Sequence, residues 1–296
     1  MAYNVNNLQD YVNEQRDLLI KNTLLGAKTV QNSNMQTGVK GKSAINILDV
    51  TATLQDGTAC GFNPSGDDTF SQRFIEAAPI KVNKQWCHKD LLKKWMQHEV
   101  RVTAGQEKMP FEEKITSKIV KNVADEVEKL LWQGNKDNGD LIDGLNKILG
   151  TDVPGNQQIS AGTYSNIKDL TYAVYKAIPE YALDNSVIGM SPANYRELVL
   201  ALTNANMFHY APEVDSAREF MLPGTNTKVI AVPGLAGTNR VVAFEWENIN
   251  FGTDLEGDME TFDLWFSKDD QVFKLNIEFI AGVNVAFPDR IIFAEL

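Results

Sequence analysis

A chain of 296 residues with 43% hydrophobic content can build a sizeable core, in one large domain or in two smaller ones that share it. Its formal charge of -11 argues against a chain-wide grip on nucleic acid, because phosphate binding needs clustered Lys and Arg. No stretch approaches the roughly 18 consecutive apolar residues of a membrane span, and residues 1–7 lack the basic and apolar regions of a secretion signal, so a soluble protein made in a cytoplasm is expected.

The first 35 residues carry Leu8, Tyr11, Val12, Leu18, Leu19, Leu24 and Leu25 on a roughly helical period, then turn polar through residues 31–38. This pattern predicts an arm: a helix with an extended tail, suited to settling on a partner surface. From Ser43 the period changes to two, in residues 45–54 and again in 69–82. Residues 56–68 between them are dense in Gly, Asn, Asp and Pro, which resist both helix and strand. The unit reads as a long hairpin, and because an isolated two-stranded ribbon is marginal in water, it is expected to lie on a neighbour.

A long amphipathic helix follows. Pro110 is suited to its first position, and Ile115, Ile119, Val123, Val127 and Leu130 recur on one face, with Lys118, Lys121, Asp125, Glu128 and Lys129 filling the rest of the circumference. About 22 residues at 1.5 Å rise give a rod of roughly 33 Å, long enough to serve as a spine. It ends in Leu130-Leu131-Trp132-Gln133-Gly134-Asn135, with Asp143-Gly144-Leu145 after a polar loop.

Ser165 or Asn166 can cap the next helix, which carries Ile167, Leu170, Val174 and Ile178 and is stopped or bent by Pro179. The apolar run Val187-Ile188-Gly189-Met190 predicts a short strand. Ser191-Pro192 then places an N-cap and a first-turn proline ahead of Tyr195, Leu198, Val199 and Leu202, which makes this part α/β. The last third is mostly strand: residues 229–232, 241–246 and 262–266, then Phe273, Leu275, Ile277 and Phe279 alternating with Lys274, Asn276 and Glu278. Residues 267–271 join the last two runs as a hairpin. Such alternation predicts an antiparallel sheet with one packed face, and the spine helix is the expected cover.

Few residues suggest chemistry. Cys60 and Cys87 are too few for a disulfide framework and read as free thiols. Cys87-His88 with His98 nearby has the look of a metal corner, but a zinc site wants about four ligands and no second Cys-His pair exists. Glu112-Glu113 and Asp125-Glu126 read as a solvated helix face. Ser191 lacks the Gly-x-Ser-x-Gly context of a nucleophile and reads as a cap, His209 between Phe208 and Tyr210 as a packing residue, and Gly234-Leu235-Ala236-Gly237 as a turn rather than a phosphate loop. No catalytic, cofactor-binding or metal-binding residue is assigned.

An arm, a long hairpin, a spine helix ending in Leu-Leu-x-x-Gly-Asn with Gly-Leu shortly after, an α/β part and returning long strands together resemble the major capsid proteins of tailed double-stranded-DNA bacteriophages. The resemblance covers nearly the whole chain. Its most specific pieces are residues 80–92, 130–145, 262–273 and 285–288, and their order and spacing carry it, because Leu-Leu-x-x-Gly-Asn alone occurs by chance.

The resemblance implies an α+β tailed-phage major capsid fold: an N-terminal arm at 1–42, an extended β-hairpin (the E-loop) at 43–82, a peripheral domain at 83–150 and 240–285 with the spine helix on an antiparallel sheet, and an α/β axial domain at 151–239 and 286–296. It implies a structural protein rather than an enzyme, one that self-assembles as pentamers and hexamers into the icosahedral head around phage DNA. Implied partners are further copies of the chain, portal and decoration proteins, and a separate scaffolding protein or none, since little sequence precedes the hairpin. Packaged DNA would be touched loosely and without sequence specificity, and no membrane is involved. The place implied is the virion capsid, after synthesis in the host bacterial cytoplasm. An encapsulin-like compartment shell is the near alternative, and an oligomeric α/β enzyme the distant one. Some relatives lock their shells with a lysine–asparagine isopeptide bond. Here Lys81 and Lys84 stand at the hairpin base while residues 56–68 hold no lysine, so non-covalent closure is expected.

Overall fold

The computed structural model describes residues 5–49, 53–54, 66, 69–103, 111–205, 218–254 and 261–296. Cys60, Pro110, His209 and most of the hairpin tip lie outside the described residues.

The N-terminal segment forms three short helices, α1 (Val5–Glu14), α2 (Arg16–Leu25) and α3 (Lys28–Asn32), and then β1 (Asn34–Gln36). The arm is therefore not waiting for a neighbour. Leu8, Val12, Leu24 and Val30 are buried in the main core of their own subunit, with α2 lying along the spine helix α5 (Phe111–Gln133). Gly26 lets the two helices approach, since a Cβ there would stand 2.8 Å from that of Ala124. A helical period of leucines looks the same whether its apolar face meets the same chain or another one, so the sequence did not separate the two cases.

Strands β2 (Lys42–Asp49) and β3 (Thr69–Glu76) form the hairpin, paired from Lys42↔Glu76 to Asp49↔Thr69. Strand β4 (Ala78–Cys87), expected within the hairpin as far as residue 82, instead enters the main sheet, where Ala78 to Cys87 pair with Ala281 to Val272. The crossing at the hairpin base needs Gly282, because a Cβ there would stand 2.7 Å from the Ala77 Cα. Helix α4 (His88–Thr103), absent from the sequence reading, starts directly from β4 and precedes the spine.

After α5 come α6 (Leu145–Asp152), β5 (Gln158–Ile159), α7 (Ile167–Ala177), β6 (Val187–Met190), α8 (Pro192–Asn204), β7 (Glu219–Met221), β8 (Lys228–Ala231) and β9 (Arg240–Phe244). The chain closes with β10 (Ile249–Gly252), β11 (Thr261–Ser267), β12 (Val272–Val285) and β13 (Ile292–Glu295). Ser191 caps α8 as expected, its hydroxyl accepting from the Asn194 amide at 3.2 Å. Asn166 sits at the N-cap of α7 without its side chain bonding a helix amide, and α7 ends just before Pro179.

Two main sheets result. In the first, the long strand β12 pairs with β11, β4 and β10, and β10 pairs in turn with β1. The alternation read from the sequence is realised: Phe273, Leu275, Ile277 and Phe279 are buried in one core with Val123, Val127 and Leu131 of the spine, while Lys274, Asn276 and Glu278 face out. The second sheet has the order β5-β13-β9-β6-β8-β7. Its strand β9, expected with the spine and the long strands, pairs instead with β6 and β13. One face of this sheet, with Ile188, Met190 and Val241, packs on α7 and α8, while the other, with Val187, Val242 and Phe244, joins the spine core. Burial on both faces explains why Val187–Met190 reads as an unbroken apolar run.

Candidate assembly surfaces

At the end of the spine, Gly134 and Gly144 press together, the Gly144 amide donating to the Gly134 carbonyl at 2.8 Å. A Cβ on Gly144 would lie 2.6 Å from the Gly134 nitrogen, so the Gly-Asn and Gly-Leu pieces of the motif are required by one close backbone crossing. The Asn135 side chain accepts from the Asp137 amide at 2.9 Å, and the Asp140 carboxylate accepts from the Asn135 amide at 2.9 Å. This is a structural knot. It sets the direction in which the chain leaves the spine.

The same helix end gathers a buried polar network that the sequence reading missed. Glu128, placed off the apolar face by the sequence reading, is only 2% exposed. Its carboxylate accepts from the Thr29 amide at 2.9 Å and the Thr29 hydroxyl at 2.7 Å, and the Trp132 indole N–H donates to that hydroxyl at 2.7 Å. The amide of Gly234, in the turn expected at 234–237, also bonds Glu128, and Gln133 Nε2 donates to the Gly234 carbonyl at 2.6 Å and the Ala236 carbonyl at 2.9 Å. Arm, spine and second sheet are thus tied at one point. Burial pushes the Glu128 carboxyl above the ordinary glutamate range, against the opposing pull of the Thr29 hydrogen bonds, the Gly234 amide and Lys28.

A raised folded-state value means that the folded protein holds a proton which the unfolded chain has already released. Stability contributed by this group is therefore full below the ordinary glutamate range and is lost as pH rises towards the folded value. Glu128→Gln should remove that slope. The variant should gain on the parent as pH rises above the ordinary glutamate range, by about 1.4 kcal/mol for each pH unit by which folding raises the carboxyl. Denaturant titrations across that rise in pH check this, and parallel curves for the two proteins would disprove it.

The hairpin base is also tied down. Arg73 Nε donates to the Val285 carbonyl at 2.7 Å, its guanidinium pairs with Asp152 of α6, and Lys136 reaches Glu76 at 2.9 Å. The hydrogen bond from Lys136 holds the Glu76 carboxyl below its usual range. On the inner face Ile45, Ile47 and Ile75 are buried against Ala286.

The outer face is different. Leu48 stands opposite Phe70 and Ala44 opposite Phe74, with Phe70 81% and Leu48 54% exposed, and Leu54 further out is 98% exposed. A rigidly anchored ribbon that carries large apolar side chains into water marks an interaction surface. Met96 and Val100 on the outward side of α4, and Leu200 on α8, are further exposed apolar positions.

The residues weighed for chemistry are dispersed. Cys87 is exposed, the His88 ring stacks on Phe273 at 6.1 Å, and His98, further along the same helix, lies against Phe111. Among the described residues no three His, Cys, Asp or Glu side chains gather as metal ligands would. Glu112 and Glu113 lie in the first turn of α5, where acids favour the helix dipole, and Asp125 and Glu126 are exposed. Lys81 pairs with Glu278 at 2.9 Å.

No family model and no curated protein matches the sequence. Solved structures do match in shape. A chain of the satellite phage P4 procapsid with its size determination protein superimposes with a TM-score of 0.65 at 11% identity, over 95% of this chain and 90% of that one. This chain has the fold of phage capsid subunits. Microbacterium phage Oxtober96 gives 0.59 at 12% identity, over 91% and 90% of the two chains, and the virus-like particle from Pyrococcus furiosus gives 0.56 at 12%, over 97% and 100%. The likeness covers more than 90% of this chain in each of the three.

Proposed function

We propose that this chain is a major capsid protein, whose activity is self-assembly as pentamers and hexamers into an icosahedral phage head around double-stranded DNA. The observation that carries the reading is the anchored hairpin with Leu48, Leu54 and Phe70 in water, on a fold otherwise met in shell subunits. In this reading, residues 1–42 supply the arm and 43–76 the hairpin, 78–150 with 249–285 the peripheral part, and 151–244 with 286–296 the axial part. The protein works without catalysis, meets packaged DNA loosely, and resides in the virion after synthesis in the host bacterial cytoplasm. Scaffolding, portal and decoration proteins are the expected partners besides the chain itself.

Likeness to the Pyrococcus furiosus particle supports a second reading, an encapsulin-like compartment shell. Nucleic acid inside particles recovered from infected or induced cells supports the first, and protein cargo the second.

The decisive experiment is electron microscopy and sedimentation of the expressed protein, with and without a scaffold, beside a variant in which residues 57–67 are replaced by a short Gly-Ser turn. The parent should form shells or capsomers. The variant should keep a native circular dichroism spectrum, because its anchoring contacts at Arg73, Glu76 and Ile75 remain, yet yield fewer or weaker shells, since identical interfaces multiply a small loss per subunit. A parent that stays monomeric at every concentration would overturn the shell reading, while unchanged shells in the variant would remove the tip from it.

A further inference from the structure

Away from the hairpin, α4 and the first turns of α5 enclose a cleft of about 350 Å³. Helix α4 presents Lys94, His98 and Arg101 to it, at the spacing that aligns side chains along one helix face, and α5 adds Lys114 and Lys118. No acid is among the described residues that line it, although the chain as a whole carries 39 acidic against 28 basic side chains. Lys94, Arg101 and Lys118 form no ion pair with any described residue. Lys94, Arg101 and Lys118, with no counter-charge among the described residues, raise one another's energy and attract an anion.

The cleft is not only basic. Trp86, Phe111, Ile115 and Ile119 give it an apolar wall. His98, at its floor, is 5% exposed, and neither ring nitrogen has a hydrogen-bond partner. A buried donor left unmatched is costly, and a partner that enters to accept from it gains by that amount. Both nitrogens are closed to solvent, so a carboxylate in the cleft, neutralised by the surrounding cations, accepts from the imidazole once the side chains over the ring part.

We propose that this cleft binds an acidic peptide segment of a partner protein, one large apolar side chain resting on the Trp86 and Ile119 wall and the flanking carboxylates on His98, Lys94, Arg101 and Lys118. A phosphate backbone matches less well, because it is met by cations strung along an open surface, whereas here an apolar wall stands beside a buried imidazole. The inference does not depend on the shell reading, since the cleft is built from α4 and α5 within one subunit.

The test is fluorescence anisotropy of a fluorescein-labelled Asp-Asp-Phe-Leu-Asp-Glu peptide with the full chain. Unlabelled competitors are a Ser-substituted version lacking Phe and Leu, a short DNA duplex, and a peptide of residues 50–68 of this chain. The labelled peptide should bind, and the Ser version should compete at least tenfold less well. Lys94→Glu with Arg101→Glu should weaken binding at least tenfold, and His98→Phe, which keeps a ring against Phe111, severalfold. Lys129→Glu, elsewhere on the spine, should leave it unchanged, with circular dichroism confirming the fold of each variant. Absence of binding, or binding indifferent to the charge reversals, would overturn the proposal. Stronger competition by the duplex would make the cleft a nucleic-acid site, and stronger competition by residues 50–68 would make the occupant another copy of this chain; either overturns it too.

Discussion

Placing an aspartate at position 123 should leave little folded protein. Val123 is buried on the spine face that shares a core with Phe273, Leu275 and Ile277 of β12. A carboxylate there is either an unpaired buried charge or a group driven to hold its proton, and its cost is about 3–5 kcal/mol, against a total stability of roughly 5–15 kcal/mol. Lys121, two residues earlier, is exposed, so Lys121→Asp should stay within about 0.5 kcal/mol of the parent. Soluble yield and denaturant midpoints of the two variants make the comparison. Similar losses in both would mean that the helix is turned the other way.

The contrast depends on a pattern that was legible in the sequence. Phe273, Leu275, Ile277 and Phe279 could be read as one face because a strand alternates strictly and its other face meets water, where Lys274 and Glu278 declare themselves. Ile119, Val123 and Val127 could be read for the matching reason at helical spacing. Illegible was the second buried side of the spine. Thr116, Val120, Ala124 and Glu128 pack against the arm, and a glutamate among lysines and aspartates carries no local sign that a threonine 99 residues earlier will bond it. Helix α4 escaped for a related reason: Leu91, Leu92 and Trp95 join the main core only near its start, while Met96 and Val100 further along stay exposed, so no long apolar stripe marks it.

The assembly surface was half legible. Alternation in residues 45–48 and the turn-rich stretch after them pointed to a ribbon that could not bury both faces. Which face would be left in water depended on its docking through Arg73 and Ile75, contacts of long sequence separation that no periodicity encodes. The same limit applied to β9. Its apolar run fits either sheet, and only the pairing of Val242 with Gly189 and Phe293 assigns it.

One methyl group, added at three glycines, should separate three different physical causes. At Gly234 a Cβ would stand 2.2 Å from Trp132 Cδ1 and 2.6 Å from the Glu128 carbonyl oxygen. Neither neighbour can yield: Trp132 is fully buried and tethered through its indole to Thr29, and the Glu128 carbonyl belongs to the spine backbone. The turn cannot back away without breaking the two hydrogen bonds from Gln133. Gly234→Ala should therefore cost about 3 kcal/mol, the upper range for an overpacked site. Gly237 lies in the same turn with open space around it but a φ of 82°, so Gly237→Ala pays only for a left-handed backbone, about 1–2 kcal/mol. At Gly155 nothing lies within 4 Å and the backbone is unstrained, so Gly155→Ala should be neutral, or stabilising by about 0.4–1 kcal/mol through the unfolded chain. Thermal or denaturant unfolding of the three variants tests the order. If Gly234→Ala proved no worse than Gly237→Ala, the turn would not be locked against the spine, and Trp132, Glu128 and Thr29 would no longer account for how the arm, the spine and the second sheet hold one another in place.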